Sequence, residues 1–354
     1  MKLTLQLQLL PTAEQAALLL TTMERCNEAA SFAARVGFEA KVFSQPSIHA
    51  RCYRELRERF GLSSQQAVRS IGKAVEAFAR DKTVCPTFRP HGAITYDQRL
   101  MSFKGMDRVS LLTVGGGRQL VALVFGEYQR ERFDRIKGQA DLVSRDGKFF
   151  LLCTIDLPEP PPLQVKAFVG VDLGIVQIAT TSDGESFSGE KVEEVRQRFN
   201  ETRKNLQRRG TKSARRILKR IRHRETNFRA HENHVIAKKI VVCAKDTSRG
   251  IAIEELTGIR SRCTVRHAQR NRYSGWAFHQ LRSFVTYKAK LAGVSVVVVD
   301  PRNTSRTCSQ CGYCDKKNRK SQAEFCCKRC SFSLNADYNA AINLAARAVV
   351  NLPR

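Results

Sequence analysis

The chain has 354 residues and 42% hydrophobic content, enough for two or three domains with proper cores and too apolar for wholesale disorder. Its 61 Lys and Arg against 33 Asp and Glu leave a net charge of +28, for which a phosphate backbone is the usual partner. With no apolar run of about 18 residues, no amphipathic anchor and no lipidation signal, the sequence speaks against membrane association.

The opening Met1-Lys-Leu-Thr-Leu-Gln-Leu-Gln-Leu alternates apolar and polar residues. That is a strand pattern and not the continuous apolar core of a signal peptide, so a cytosolic or nucleoid location is expected. Pro11-Thr12-Ala13-Glu14-Gln15 then starts a helix, and helical patterns run to about Ala79. From residue 85 to residue 158, Pro86, Pro90 and several glycines punctuate short alternating runs such as Leu120-Val-Ala-Leu-Val-Phe and Phe149-Phe-Leu-Leu-Cys-Thr-Ile-Asp. These predict a small antiparallel barrel or sheet that takes in the first strand, with the helices inserted between. Pro158-Glu-Pro-Pro-Pro162 is a stiff, extended linker and the clearest domain boundary.

Beyond the linker, Phe168-Val-Gly-Val-Asp172, Val176-Gln-Ile-Ala-Thr-Thr and Ser186-Phe-Ser predict a strand meander. A polar helical region from about Val192 to Ala244 follows, then the strand Gly250-Ile-Ala-Ile-Glu254, a helix around Trp276 to Ala292 and a strand from Val294 to Asp300. Strands in that order, with helices only after the third, describe an α/β fold with a mixed sheet.

The helical stretch from Arg196 to Arg224 carries Arg203, Lys204, Arg208, Arg209, Lys212, Arg215, Arg216, Lys219 and Arg220 among other cations, against the single acid Glu201. That density exceeds what alternating ion pairs on a solvated face would use, and it suits a groove that tracks nucleic-acid phosphates. Trp276, Phe278 and His279 offer rings for base stacking, although a lone Trp in an amphipathic helix is more often core.

Asp172 and Glu254 each end an apolar strand, and Asp337 opens a helix in Asn335-Ala-Asp337-Tyr338-Asn339-Ala-Ala. Taken singly, each acid reads as a strand-end residue or a helix cap. Brought together, they would repel one another unless divalent cations neutralised them. Two hard cations roughly 3.5 to 4 Å apart could activate water and stabilise the leaving oxygen of a phosphodiester. Glu255 points to the opposite strand face, and Asp300, followed by Pro301, reads as a turn residue.

Twelve cysteines complete the inventory. Cys308-x-x-Cys311 and Cys327-x-x-Cys330, with fifteen residues between the pairs, have the spacing of two knuckles converging on one tetrahedral zinc. Cys314 and Cys326 offer competing choices, but Gly312 behind Cys311 suits a tight knuckle. Cys26, Cys52, Cys85, Cys153, Cys243 and Cys263 are scattered singly and are expected to be small buried hydrophobes.

Together, Gly170-Val-Asp172-Leu-Gly174-Ile, Ile253-Glu254-Glu255-Leu256, Thr304-Ser305-x-x-Cys308-x-x-Cys311-Gly312, Phe325-x-Cys327-x-x-Cys330 and Asn335-Ala-Asp337-Tyr-Asn339-Ala-Ala-Ile-Asn343 resemble the RuvC-like motifs and zinc ribbon of the TnpB family. These are transposon-encoded RNA-guided nucleases related to compact type V CRISPR effectors. The resemblance also takes in Leu-Leu-Pro-Thr-Ala-Glu-Gln at the start and Cys85-Pro-Thr-Phe-Arg-Pro, and so spans most of the chain. It implies a multidomain α/β (α+β) architecture: residues 1–12 and 85–160 as a wedge β-barrel, 13–84 as a helical recognition insert, 161–306 and 333–354 as an RNase H-like RuvC domain, and 307–332 as an inserted zinc ribbon.

By position it makes Asp172, Glu254 and Asp337 a catalytic triad holding two Mg²⁺, and Cys308, Cys311, Cys327 and Cys330 the ligands of one structural Zn²⁺. The implied partners are a guide RNA from the transposon end and double-stranded target DNA, cut beside a short adjacent motif; a monomer is the expected state, although the sequence leaves the oligomeric state open. A guided repressor that binds without cutting is the rival reading, but it would usually lack one of the acids. A strand-joining transposase fits less well, since the likeness is to the accessory nuclease.

Overall fold

A computed structural model describes residues 1–256, 278–321 and 323–350, and the chain divides into two compact units, Met1–Pro158 and Glu159–Arg354. Among the described residues no helix is long and apolar enough to cross a membrane.

In the first unit β1 (Lys2–Leu10) precedes three helices, α1 (Ala13–Glu39), α2 (Gln45–Phe60) and α3 (Ser64–Arg80). Strands β2 (Ile94–Tyr96), β3 (Met101–Lys104), β4 (Arg108–Thr113) and β5 (Gly117–Val124), the short α4 (Glu127–Arg130), and β6 (Ile136–Arg145) and β7 (Lys148–Asp156) follow. Thr12 and Gln15 form a reciprocal capping box that starts α1 where the sequence predicts it. The strands make one seven-stranded antiparallel sheet, ordered β2-β6-β7-β1-β5-β4-β3. β1 lies at its centre, paired from Lys2↔Asp156 to Leu9↔Phe149 on one side and to β5 on the other. The two edge strands, β2 and β3, are joined by residues 97–100 alone, so the sheet curls until it is nearly closed. Leu5, Leu7 and Leu9 point into a core shared with Met23, Ile71 and Phe78 of the helices. Alternation along β1 thus buries Leu5, Leu7 and Leu9 and leaves its threonine and glutamines outside that core.

The second unit holds β8 (Phe168–Asp172), β9 (Gln177–Thr181), β10 (Ser186–Ser188), α5 (Glu190–Arg209), α6 (Lys212–Ile221), α7 (Arg224–Asp246), β11 (Gly250–Glu254), α8 (Phe278–Ala292), β12 (Val296–Val299), β13 (Glu324–Cys326), β14 (Ser333–Asn335) and α9 (Ala336–Val350). A mixed sheet runs β10-β9-β8-β11-β12, antiparallel through the meander and parallel across β8, β11 and β12. Helices α7 and α8 bury Ile240 and Val285 against Val169 and Val171 on one face. Helix α9 covers the other, with Leu344 and Ala348 against Phe168 and Ala252. The long polar helical region of the sequence is three helices in the structure. Gly210, at φ 63°, ends α5 in the left-handed conformation, and a second break separates Ile221 from Arg224.

Candidate active site and metal centre

The parallel register pairs Val171 with Ile253, and one step further it sets Glu254 beside Asp172. The Leu173 amide donates to Glu254 Oε1 at 2.7 Å, which fixes the glutamate against the neighbouring strand end. Asp337 enters from α9. Asn335 Oδ1 accepts from the amides of Asp337 at 2.9 Å and Tyr338 at 3.1 Å, capping the helix so that an acid occupies its first turn. Gly170 lets α9 lie directly on β8: a Cβ there would come 1.9 Å from the Ala341 carbonyl oxygen. Only a missing side chain permits that approach, and the small residues of α9 meet it.

The three acids share one electrostatic field. Burial, then the charge of Asp337, pushes the Asp172 carboxyl up to about 7, with Arg319 opposing. Burial and the charges of Asp172 and Asp337 hold Glu254 well above the usual carboxylate range, although the Leu173 amide pulls the other way. Burial also raises Asp337, and Arg319 lowers it from 3.6 Å. One buried carboxylate, Glu254, and two half-buried ones at the same place cannot all ionise cheaply without a cation. The donors are all carboxylate oxygens, the hard set that suits Mg²⁺ and not a thiophilic metal.

Glu255 turns away and pairs with Arg282 at 2.6 Å. Asp300 accepts from the Arg302 amide at 3.0 Å, as a turn residue does.

The structure gathers Cys308, Cys311, Cys327 and Cys330 with all ligand atoms within 4.8 Å of one another, and Cys314 and Cys326 stay outside this cluster. Gly312, at φ 73°, closes the first knuckle, where its amide donates to the Cys308 carbonyl. Ser331, at φ 59°, takes the matching place in the second. Burial alone would push the Cys327 thiol up, but the amides of Cys330 and Arg329 and the neighbouring thiols draw it down to about 6, while Cys330, although the Phe332 amide lowers it, is pushed up by burial and the other three thiols, so that the cluster shares its charge unevenly. Amides aimed at sulfur in this way favour thiolate, the form that binds metal. Of the scattered cysteines, Cys26, Cys52 and Cys153 are buried as expected, while Cys85 and Cys243 are half-buried and Cys263 lies outside the described residues.

Two sets of contacts were not legible as site features in the sequence. Arg319, in the ribbon, reaches Asp337. Asn339 and Asn343, one helical turn apart on α9, bond the ribbon's base: Asn339 Nδ2 donates to the Thr307 carbonyl at 2.9 Å, and Asn343 Nδ2 to those of Thr304 and Thr307 at 2.8 Å. Their i, i+4 spacing behind Asp337 was the available signal.

On α5 and α6, Lys204, Arg208, Arg209, Lys212, Arg215, Arg216, Lys219 and Arg220 are exposed, held out by a small core that includes Leu206, Ala214 and Ile221. Arg203 differs, because it pairs with Glu225 of α7. Phe278 packs on the core of the second unit and His279 is exposed, whereas Trp276 lies outside the described residues.

Residues 150–257 match a family described as "Probable transposase", and residues 278–344 match the "Cas12f1-like, TNB domain". The CRISPR-associated endodeoxyribonuclease Cas12f1 of Sulfoacidibacillus thermotolerans is 30% identical over 264 residues, covering 69% of this chain and 60% of that protein. The putative RNA-guided DNA endonuclease InsQ of Escherichia coli (strain K12) is 26% identical over 310 residues, covering 80% of this chain and 73% of that one. The chain spans about half to three-fifths of the length of three Cas12f proteins that it matches. The protein in a Cas12f1–sgRNA–target DNA complex shares the architecture, with TM-score 0.65 at 15% identity over 94% of this chain and 83% of that one.

Proposed function

Because the chain belongs to the TnpB family, we propose that it is a transposon-encoded, RNA-guided DNA endonuclease that cuts target DNA beside a short adjacent motif. The observation that carries this reading is the meeting of Asp172, Glu254 and Asp337 in one electrostatic field at the strand ends of a mixed sheet. An RNase H-like nuclease needs that arrangement. Asp172, Glu254 and Asp337 would hold two Mg²⁺, which supply water activation and stabilise the leaving oxygen in an in-line displacement.

The chain's own groups do the positioning. The strand end of β8 places Asp172, burial and the Leu173 amide hold Glu254, and the Arg319 guanidinium tempers the negative charge at Asp337. The four thiolates would close around a structural Zn²⁺ with no open position for chemistry. The exposed cations of α5 and α6 would follow the phosphates of a guide–target heteroduplex. The first unit, as a wedge sheet with helical insert, would grip guide RNA and the adjacent motif. Guided plasmid cleavage with Mg²⁺, comparing wild type with Asp172→Ala, tests the reading. Cutting by wild type alone is expected. Equal cutting by the variant would sink the assignment, and binding that leaves wild-type-treated DNA intact would favour a guided repressor.

A further inference from the structure

The outer seam between α7 and α8 carries chemistry that neither the candidate triad nor the cations of α5 and α6 use. On α7, His231, His234, Val235 and Lys238 fall on one helix face; on α8, Phe284, Tyr287 and Lys288 do the same. The rings interlock: His234 stacks on Phe284 with centroids 3.7 Å apart, and the Tyr287 hydroxyl lies 3.4 Å from His234 Nδ1. Lys288 Nζ sits 5.4 Å from the centre of the Tyr287 ring. Phe284 is half-buried and packs on the edge of the unit's core, the other five polar or aromatic side chains stay outside it, and the core takes the opposite faces through Ile240 and Val285.

The charges of the seam are of one sign. Helix α8 contains no acid, and of its Lys and Arg residues Arg282 pairs with Glu255 and Lys290 with Glu159. Among the described residues no acid pairs with Lys238 or Lys288. Burial and then the Lys238 charge depress Lys288, and burial followed by Lys288 and His231 depresses His234. Like charges crowded beside aromatic rings are relieved by a polyanion that also offers flat faces.

We propose that this seam is a second nucleic-acid site, holding an unpaired segment of RNA by phosphate contacts from Lys238 and Lys288 and by base stacking beside Tyr287. It rests on the reading of the chain as an RNA-binding protein. Single strands present the base faces that a duplex hides, and the hydroxyl and imidazole groups can bond a ribose 2′-OH. The test is binding of fluorescent oligouridylate by the full chain across a salt series. Lys238→Ala with Lys288→Ala should weaken binding about ten-fold and flatten the salt dependence by about 1.4 in log–log slope. Replacing both lysines by Arg should keep the affinity, and unchanged melting temperatures would show that the variants fold. Tyr287→Leu should weaken binding about five-fold or more. If wild type binds no RNA, this site and the RNA partner both fail. If wild type binds and the Ala variant matches it in affinity and slope, the seam alone is overturned. Equal losses for oligothymidylate would overturn the choice of RNA.

Discussion

Arg319 Nη2 lies 3.6 Å from Asp337 Oδ1, so a side chain of the cysteine ribbon touches an acid of the candidate catalytic set. The guanidinium holds the Asp337 and Asp172 carboxyls below where burial would otherwise leave them. Removing it raises both, so the carboxylates form at higher pH. Arg319→Ala should slow guided cleavage about 100-fold and move the acid limb of its pH–rate profile upward. Arg319→Lys should recover part of the rate, since it keeps the charge and loses the planar fork. An unshifted acid limb in the Ala variant would separate Arg319 from the acids.

Cys308, Phe325 and Cys327 pack with Ala336, the residue before Asp337, and Asn339 and Asn343 tie the same helix to the ribbon's base. Loss of the metal should therefore reach Asp337 mechanically. Cys327→Ser is expected to lower zinc content and cut cleavage roughly ten-fold or more. Amide exchange should quicken across residues 304–343 and stay slow in β8 and β11. Slow exchange throughout, with zinc lost, would disconnect the ribbon from the site.

Asp172 titrates near 7 in the folded chain, against an ordinary value of 3.8, and Glu254 is raised in the same direction. A raised carboxyl binds its proton more tightly folded than unfolded. Its stabilising effect is complete below about pH 4 and is lost as pH rises towards 7. For Asp172 the ceiling is roughly 4 kcal/mol. Without divalent cations the protein should melt lower at pH 8 than at pH 5. Mg²⁺ should restore the loss at pH 8, and Asp172→Asn should weaken both effects. A melting temperature indifferent to Mg²⁺ at pH 8 would count against a metal held by these acids.

Gly170 offers a geometric test. Alanine there would collide with the Ala341 carbonyl, a backbone atom that cannot swing away. Gly170→Ala should cost about 1–3 kcal/mol and displace Asp337 along with α9, so cleavage falls even where the chain remains folded. Cleavage equal to wild type would show that α9 does not need this close approach.

The sheet strands, the strand-end positions of Asp172 and Glu254, and the knuckle cysteines were legible because each follows from local alternation or fixed spacing. The break at Gly210 was missed because dense Arg and Lys read as continuous helix. The contact of Arg319 with Asp337 depends on how the ribbon folds back onto α9. No local pattern encodes it. Arg203 looked like its basic neighbours until α7 supplied Glu225 as a partner.

That difference divides the cations of α5 and α6. Arg208, Arg209, Arg215 and Arg216 are exposed, and no acid among the described residues pairs with them. Replacing all four with Ala should leave the melting temperature nearly unchanged. It should also lower the slope of log affinity against log salt for duplex DNA by up to about 3.6, if each meets a phosphate. Arg203→Ala removes the partner of the largely buried Glu225 carboxylate, so it should destabilise the fold and barely alter the slope. Titrations of both variants across a salt series, beside thermal melts, check the division. An unchanged slope in the four-fold variant would remove these helices from the nucleic-acid surface.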